Sequence, residues 1–307
     1  MSISRRQFLT TSSALLVIPA RRLLAQQPAA ATPPPETAFQ AIRRDVGYFT
    51  GRGGTIGWLS TPEAMVVVDT QYADTAAICL DGLPGRKGRT IDRVFNTHHH
   101  ADHTGGNGVF RKVSTKIVAQ KNVPDLQRTA YAASKDPQVY ADSTFDTTWS
   151  ETVGKERVTA SFRGPAHTGG DSIVHFEHAD IVHLADLLWI DVHPFIDRPG
   201  GASIENWTKI LDQVAKTMPA GTTYIAGHAQ RGLPVTADRK ALARQRDYFD
   251  AALTHARAGI ASSKSRDEIV ALPALRGFES YQALIPRLSL AATLGAAYDE
   301  LTSAPRQ

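Results

Sequence analysis

Cysteine and long apolar runs are scarce in this sequence. Cys79 is the single cysteine among 307 residues, so the chain has no internal disulfide and no thiolate cage for a structural zinc ion. Its position in an apolar stretch of helical character predicts a packed rather than a reactive thiol. Beyond the N-terminal segment, no apolar run approaches the ~20 residues of a membrane-spanning helix. Disulfide-stapled and multi-span membrane architectures are therefore excluded.

The positive charge of the chain is concentrated at its N-terminus. The formal net charge is +4, yet Arg5, Arg6, Arg21 and Arg22 all lie in the first 25 residues, which contain no acidic residue. Without that segment the formal charge becomes zero. A balanced chain gives no electrostatic reason to expect a nucleic-acid partner, so none is expected.

Residues 1–25 are expected to be an export signal of the twin-arginine type. The pair Arg5–Arg6 precedes an apolar segment from Leu9 to Ala20, which is too short to span a bilayer. The expected consequences are transport by the twin-arginine translocase, a periplasmic or other extracytoplasmic location, and no stable membrane insertion after signal removal. An ordinary secretory signal or an uncleaved anchor is the alternative. Residues 26–36, with four prolines, are predicted to be a flexible linker.

Potential metal ligands are, in contrast, concentrated in one place. The run His98-His99-His100-Ala101-Asp102-His103 holds five of them in six residues. It follows the apolar run Ile91–Thr97, which is typical of a short strand. Imidazole nitrogens and carboxylates suit zinc or a similar first-row metal, and a site without thiolate tends to leave a coordination position open for water.

The spacing within this run predicts two metal ions rather than one. At a strand end, His98 and His100 are two residues apart and point to the same side. Asp102 and His103 follow where the chain bends, so both can turn back toward the same space. Four ligands from one turn crowd a single tetrahedral ion that also keeps water, whereas two ions ~3.5–4 Å apart would use them better.

Three isolated ligand-type residues downstream complete the candidate set. Each comes at or just past the predicted end of an apolar run and beside small residues, which is how a rigid scaffold presents a site. They are His167, Asp186 and His228.

The order of these motifs resembles that of the metallo-β-lactamase-fold hydrolase superfamily. The similarity extends from about Ala38 to His228: His-x-His-x-Asp-His, a Gly-x-x-His-Thr turn, an Asp before Leu-Leu, and then Gly-His. It implies an α/β fold, an αββα sandwich of two mixed β-sheets with helices outside and metals at one edge. Residues 37–235 would form this domain. Residues 236–307 would form a C-terminal helical extension that either covers the sandwich, which we favour, or caps the substrate site.

The resemblance also assigns a role to each candidate ligand. The first metal would be held by His98, His100 and His167. The second would be held by Asp102, His103 and His228. Asp186 would bridge both metals, although it follows Ala185 where the family often has glycine. Asp69, after the strand-like Val66–Val68, would orient the ligand loop by hydrogen bonds; a plain turn-forming role is the alternative.

The implied activity is metal-dependent hydrolysis. Two Zn²⁺ ions, with Fe or Mn as alternatives, would share an activated hydroxide that cleaves an ester, lactone, thioester or lactam bond of a small-molecule substrate. Asp102 would orient this hydroxide and shuttle its proton. Substrate contacts are expected from His193, Trp189 and Phe195. The ligand set is most similar to glyoxalase II and related exported hydrolases.

Several other functions fit the same residues less well. A β-lactamase proper usually lacks the bridging carboxylate. A persulfide dioxygenase-like oxidoreductase would use one iron and leave the second ligand set redundant. A flavodiiron carrier would need a flavin domain, and a binding protein without catalysis would leave seven ligands unexplained.

Apolar patterning predicts the secondary structure around these motifs. Strand-like runs are Ala38–Thr50, Thr55–Ser60 and Ala64–Thr70. Predicted helices are Ala73–Leu83, Val123–Ser134, Ser203–Lys216, Thr236–Ala261, Ser265–Leu272 and Leu288–Ser303, with Ser203 as an N-cap.

Overall fold

A computed structural model describes residues 36–303, so the predicted signal and most of the predicted linker lie outside the described residues. Seven strands form the first sheet and lie side by side in chain order. The first four pair antiparallel and the remainder pair parallel, which makes the sheet mixed. The strands are β1 (Ala38–Arg43), β2 (Val46–Thr50), β3 (Ile56–Ser60), β4 (Met65–Val68), β5 (Ile91–Asn96), β6 (Ser114–Gln120) and β7 (Ser143–Phe145).

The second sheet is also mixed and has six strands. Its spatial order is β13-β12-β11-β10-β9-β8. The neighbours β11 and β12 are parallel, and every other neighbouring pair in this sheet is antiparallel. The strands are β8 (Thr148–Val153), β9 (Glu156–Ser161), β10 (Ile173–Phe176), β11 (Ile181–Ile190), β12 (Thr223–Ala229) and β13 (Thr236–Ala237).

Alternating side chains build the layers. In β4, Val66 and Val68 face the second sheet and pack with its Val174 and Ile225. Their neighbour Val67 points the other way, into a separate apolar cluster with the helices outside the first sheet. A strand that is apolar on both faces is the expected consequence of burial between two layers. The predicted αββα sandwich is therefore confirmed.

Eight helices are present among residues 36–303. They are α1 (Ala73–Gly82), α2 (Ala101–Thr104), α3 (Asn107–Phe110), α4 (Val123–Ala130), α5 (Ile204–Thr217), α6 (Arg239–Ala261), α7 (Arg266–Val270) and α8 (Leu290–Thr302). The Ser203 side chain accepts a hydrogen bond from Asn206 N at 3.2 Å, as predicted for the N-cap of α5. Cys79 lies fully buried in α1, in agreement with a packed thiol.

Several predicted element boundaries were wrong. The helix predicted from Thr236 begins at Arg239, because Thr236 and Ala237 form the edge strand β13. The single run predicted over residues 38–50 is divided into β1 and β2 because Arg44 and Asp45 both adopt positive φ, at 49° and 61°, and turn the chain back. The predicted helix from Val123 ends at Ala130, four residues early.

The C-terminal helices cover the second sheet. Leu188 of β11, Trp207 of α5, Phe249 of α6 and Leu294 of α8 belong to one buried apolar cluster. This packing supports the covering role for the extension, and the connection between α7 and α8 also reaches the site described below. Within residues 36–303, no helix combines the length and apolar character that a membrane crossing requires.

Candidate metal centre

The histidine-rich loop follows β5 and is held by Asp69. The Thr97 backbone N–H and hydroxyl both donate to this carboxylate at 2.8 Å. His103, fully buried on the short helix α2, places its Nδ1 2.7 Å from Asp69 Oδ2. Because Nδ1–H donates to the carboxylate, Nε2 is the nitrogen that His103 directs at another partner. Asp69 therefore makes the contacts expected of a residue that orients the ligand loop.

One group of four side chains contains His98, His100, His167 and Asp186, whose ligand atoms all lie within 4.8 Å of one another. His100 Nδ1 lies 3.1 Å from His98 Nε2 and 3.0 Å from His167 Nε2. Asp186 Oδ2 approaches His167 Nε2 to 3.3 Å. Three imidazole nitrogens and one carboxylate oxygen thus converge on one point from three separate parts of the chain.

A second group adjoins the first and contains Asp102, His103 and His228, again within 4.8 Å of one another. His228 Nε2 lies 3.3 Å from Asp102 Oδ2. Asp186 Oδ1 lies 3.0 Å from His103 Nε2 and 3.3 Å from His228 Nε2. One carboxylate oxygen of Asp186 therefore faces each group, and all seven residues selected from the sequence come together.

An irregular strand positions Asp186. We expected β11 to end at this residue, but the strand continues to Ile190. Its register with β12 shifts on either side of Ala185, which has a φ of 45°. This left-handed conformation favours glycine, and it redirects the next side chain toward the site. His228 likewise lies inside β12 rather than beyond its end.

The neighbouring β12 leaves room for this carboxylate at a glycine. A Cβ atom on Gly227 would lie 2.0 Å from Asp186 Oδ1. Glycine is therefore required at this position if the Asp186 carboxylate is to stay where it is.

Three buried atoms of this centre make no hydrogen bond to a group outside the ligand set within residues 36–303. They are His103 Nε2, Asp186 Oδ1 and His228 Nε2. Buried polar atoms without partners are costly and need an explanation. Cations between the two groups would satisfy these atoms, so the donor set fits divalent metal ions.

Burial and charge divide the histidines into two kinds. Burial lowers the pKa of His98 and takes the pKa of His167 down to about 3, so both are neutral. Burial also opposes the charge of His228, but the nearby Asp186 and Asp102 outweigh it and raise its pKa to about 9. Burial likewise opposes ionisation of Asp186, while the charges of His228 and His103 hold its pKa well below its usual range. Protons and metal ions would compete for this second group.

Asp197 is a site residue that the motifs did not identify. His100 donates from Nε2 to Asp197 Oδ2 at 3.0 Å, and His99 Nε2 lies 3.3 Å from the same oxygen. These three residues form a further potential ligand group. Burial raises the pKa of Asp197, but the hydrogen bonds from both histidines hold it below its usual range. His99 is buried, and its ring faces Asp197.

A cavity of about 570 Å³ opens over the two groups. Trp189 and Phe195 line it, as expected for substrate contacts. Trp189 donates from Nε1 to Asp186 O at 2.8 Å, and its ring stacks on His228 with centroids 4.3 Å apart. Tyr72 also lines it, as do Tyr131, Leu284, Ile285, Arg287 and Leu288, and none of these last five was indicated by a sequence motif.

His193 lies elsewhere. It does not line the cavity, and its Nδ1 is 2.7 Å from the Tyr248 hydroxyl on α6. The expected substrate contact for His193 therefore has no basis in the structure, because the loop after β11 turns this ring toward the C-terminal helices.

Comparison with known proteins agrees with the fold and the ligand motifs. The family model of the metallo-β-lactamase superfamily matches residues 49–228, and the chain belongs to that superfamily. The metallo-β-lactamase type 2 of Elizabethkingia meningoseptica is 24% identical over 172 residues, which cover 56% of this chain and 67% of that protein. A hydroxyacylglutathione hydrolase of Brucella anthropi is 28% identical over 155 residues, covering 48% of this chain and 53% of that protein.

A solved structure supports the same fold assignment. A metallo-β-lactamase from Pontibacter korlensis superimposes with a TM-score of 0.58 at 17% identity, covering 70% of this chain and 99% of that one. The chain spans about half the length of the hydroxyacylglutathione hydrolase it matches. The protein is thus an enzyme of a hydrolase superfamily whose His and Asp groups can bind metal.

Proposed function

We propose that this protein is a dinuclear zinc hydrolase that cleaves an ester, lactone, thioester or lactam bond in a small molecule. The observation that carries the proposal is the pair of ligand groups, each within 4.8 Å, with one oxygen of Asp186 directed at each. A site with a single metal ion would leave the second ligand group without a role. This is why we rank a one-iron, persulfide dioxygenase-like activity below the dinuclear hydrolases.

In this proposal the ligands have the roles that the family resemblance implies. His98, His100 and His167 would hold the first metal. Asp102, His103 and His228 would hold the second, and the Asp186 carboxylate would serve both. When bound, the two metal ions would activate a water molecule near neutral pH and polarise the oxygen of the scissile bond.

Asp102 is the residue we propose to orient the attacking water. Its side chain lines the cavity and is partly exposed, unlike the fully buried His103 beside it. Burial opposes its ionisation, but the charges of His103 and His228 hold the pKa of Asp102 below its usual range. It is therefore a carboxylate at neutral pH, able to accept a hydrogen bond from water at Oδ2 and fix its direction.

The walls of the cavity would hold the substrate against this centre. Trp189 is tied to Asp186 through its Nε1 hydrogen bond, and Phe195 packs on His100 with ring centroids 5.3 Å apart. Both rings are thus fixed relative to the ligands, and they present apolar surface that excludes bulk water from the reacting bond.

A β-lactamase activity is the second candidate. It is favoured by the relative named metallo-β-lactamase type 2. The carboxylate of Asp186, with one oxygen directed at each group, favours the first candidate, and a substrate panel distinguishes the two.

The test combines metal analysis with that panel. Protein loaded with zinc is assayed on nitrocefin, a thioester, a lactone and an aryl ester, and its metal content is measured by inductively coupled plasma mass spectrometry. We expect two metal ions per chain and turnover of at least one substrate. His103→Ala should lose the second ion and most activity, whereas the control His178→Ala, at an exposed histidine, should keep both. One iron per chain with oxygen consumption would overturn the proposal.

We also propose that the protein is exported by the twin-arginine translocase and acts outside the cytoplasm. The support is the sequence of residues 1–25 described above. Replacing Arg5 and Arg6 with lysine should retain the protein in the cytoplasmic fraction of its host. Unchanged fractionation of this variant would exclude the route.

A further inference from the structure

The connection between α7 and α8 forms one side of the cavity mouth. Gln282 donates from its backbone N–H to Asp191 O at 3.2 Å and accepts from His193 N at 3.0 Å. These bonds fasten the connection to the loop that follows β11, the strand that carries Asp186. We call residues 284–288 the mouth segment. The backbone hydrogen bonds of Gln282 therefore fix the position of the mouth segment over the metal centre.

Apolar side chains of the mouth segment are exposed at the cavity. Leu284 and Ile285 are 38% and 42% exposed and both line it. They are two of the four large apolar side chains that are exposed within residues 36–303. Adjacent apolar side chains left in solvent at the rim of a cavity are typical of a binding surface for the apolar part of a ligand.

Arg287 lies in the same segment and also lines the cavity. Its guanidinium is 5.6 Å from the ring centroid of Phe195, the ring that packs on His100. Within residues 36–303 it has no hydrogen bond or salt bridge to any side chain. Arg52 near the same cavity differs, because Asp74 binds its guanidinium through two hydrogen bonds at 2.7 and 3.2 Å.

The carboxylates around the centre do not neutralise Arg287 either. Asp197 is engaged by His99 and His100, and Asp102 by His228. The arginine therefore presents its donors to the cavity, and no carboxylate among residues 36–303 forms a salt bridge with it. A planar guanidinium fork matches a carboxylate, to which it can donate two parallel hydrogen bonds.

We propose that Arg287 binds a carboxylate at the non-reacting end of the substrate, while Leu284 and Ile285 contact the hydrocarbon next to it. This inference rests on the proposed hydrolase function and names its substrate class, an amphiphilic acid bearing a hydrolysable bond. Arg287 would act as a specificity-determining residue, because it contacts a part of the substrate away from the metal-facing side chains.

Two pairs of matched compounds test the inference. The substrates are the mono-4-nitrophenyl ester of glutaric acid and the neutral 4-nitrophenyl pentanoate. The non-hydrolysable ligands are 4-(4-nitrophenoxy)butanoate and neutral 4-butoxynitrobenzene, whose binding is measured by quenching of tryptophan fluorescence. We expect wild type to prefer the anionic member of each pair by ~3–10-fold, a modest factor because the arginine is exposed.

Variants at Arg287 test whether this arginine, rather than the metal ions, causes the preference for the anionic compounds. Arg287→Ala should bring both anionic-to-neutral ratios to about one, because the anionic compounds lose the partner of their carboxylate. Arg287→Lys should restore part of the preference, because it keeps the charge and loses the fork. The control Arg276→Ala, at an exposed arginine outside the cavity, should behave as wild type. Circular dichroism melts would show that each variant is folded.

The outcomes distinguish this inference from the proposed function. Turnover of both esters without an anionic preference, or a preference that survives in Arg287→Ala, would overturn the role of Arg287 and leave the hydrolase intact. Absence of turnover together with an Arg287-dependent preference for the anionic ether would support the binding site and refute ester hydrolysis.

Discussion

Each of four metal-facing imidazoles is held at its other ring nitrogen. His103 donates to Asp69, His100 to Asp197, and His167 to the carbonyl oxygen of Phe195 at 2.8 Å. The Thr97 hydroxyl, which donates to Asp69, lies 3.1 Å from Nδ1 of His98. These bonds fix which ring nitrogen of each imidazole faces the centre.

Replacing Asp197 tests this arrangement at one residue. Asp197→Asn keeps the side-chain volume but removes the charge that His100 and His99 contact. We expect metal affinity to fall roughly 10–100-fold, measured by competition with a chelator of known affinity. The control is Asp191→Asn, because Asp191 pairs with Arg244 and contacts none of the ligands. Wild-type affinity in Asp197→Asn would show that His100 needs no such support.

Gly227 offers a second test at the residue scale. In Gly227→Ala the new methyl group would collide with the Asp186 carboxylate, so both groups should bind metal less tightly, by roughly tenfold or more. Gly108→Ala is the matched control, because its Cβ would meet only Val139 at an ordinary 3.6 Å. Metal titrations of the two variants should therefore differ, and equal affinities would mean that Asp186 is free to move aside.

At the scale of elements, one helix caps another. Glu300 on α8 accepts hydrogen bonds from Ser203 Oγ at 2.8 Å and from the backbone N–H groups of Ile204 and Glu205 at 2.7 and 3.1 Å. These are donors of the first turn of α5 that lack partners within the helix. The carboxylate also complements the positive end of the helix dipole.

This contact predicts a loss of stability without a loss of metal binding. Glu300→Ala should lower the free energy of unfolding by ~1–3 kcal/mol, since it leaves buried donors unpaired, as measured by urea denaturation. Glu279→Ala is the control, because Glu279 is exposed and accepts a local hydrogen bond from the nearby Gly277 N–H. A stability of Glu300→Ala equal to wild type would contradict the capping role.

The elements also show what the sequence could predict. The run from His98 to His103 was recognisable because the ligands are neighbours in the chain, and their local spacing fixes their geometry. Asp186 and His228 were selected by their residue type, but the predicted strands ended at these residues, whereas β11 and β12 continue beyond them. The conformation of Ala185 and the closeness of Gly227 to Asp186 depend on how two strands pair, which no local pattern encodes.

At the scale of the whole molecule, the cavity was the least predictable part. Tyr72, Tyr131 and Arg287 are far apart in the chain and carry no motif. Asp197 was visible as an acidic residue in a loop, but its contact with His100 depends on how that loop folds back. Core strands and amphipathic helices could be predicted because the residues of an apolar face recur at a regular spacing along the chain. A cavity wall forms where segments distant in the sequence come into contact, and it has no such periodic pattern.

The charge balance of the centre predicts opposite pH responses with and without metal. Because the pKa of His228 is raised to about 9 from its usual 6.5, its protonated form stabilises the metal-free protein. That contribution is complete below about pH 6.5 and is lost as the pH rises through 9. Metal binding requires the neutral ring, so affinity should increase over the same window.

Calorimetric melts between pH 6.5 and 9 provide the measurement. The melting temperature of the metal-free protein should fall across this range, and that of the zinc-loaded protein should hold or rise. In His228→Ala the fall should become smaller. Parallel curves for the metal-free and loaded protein would show that protons and metal do not compete at this residue.

The metal-facing side chains belong to both halves of the sandwich. His98 and His103 follow a strand of one sheet, while Asp186 and His228 are part of the other. Ions held there would link the two sheets at that edge. Amide hydrogens of β5 and β12 near the ions should then exchange more slowly with solvent deuterium once zinc is added. The ions that serve catalysis would therefore also determine how readily this edge of the molecule opens.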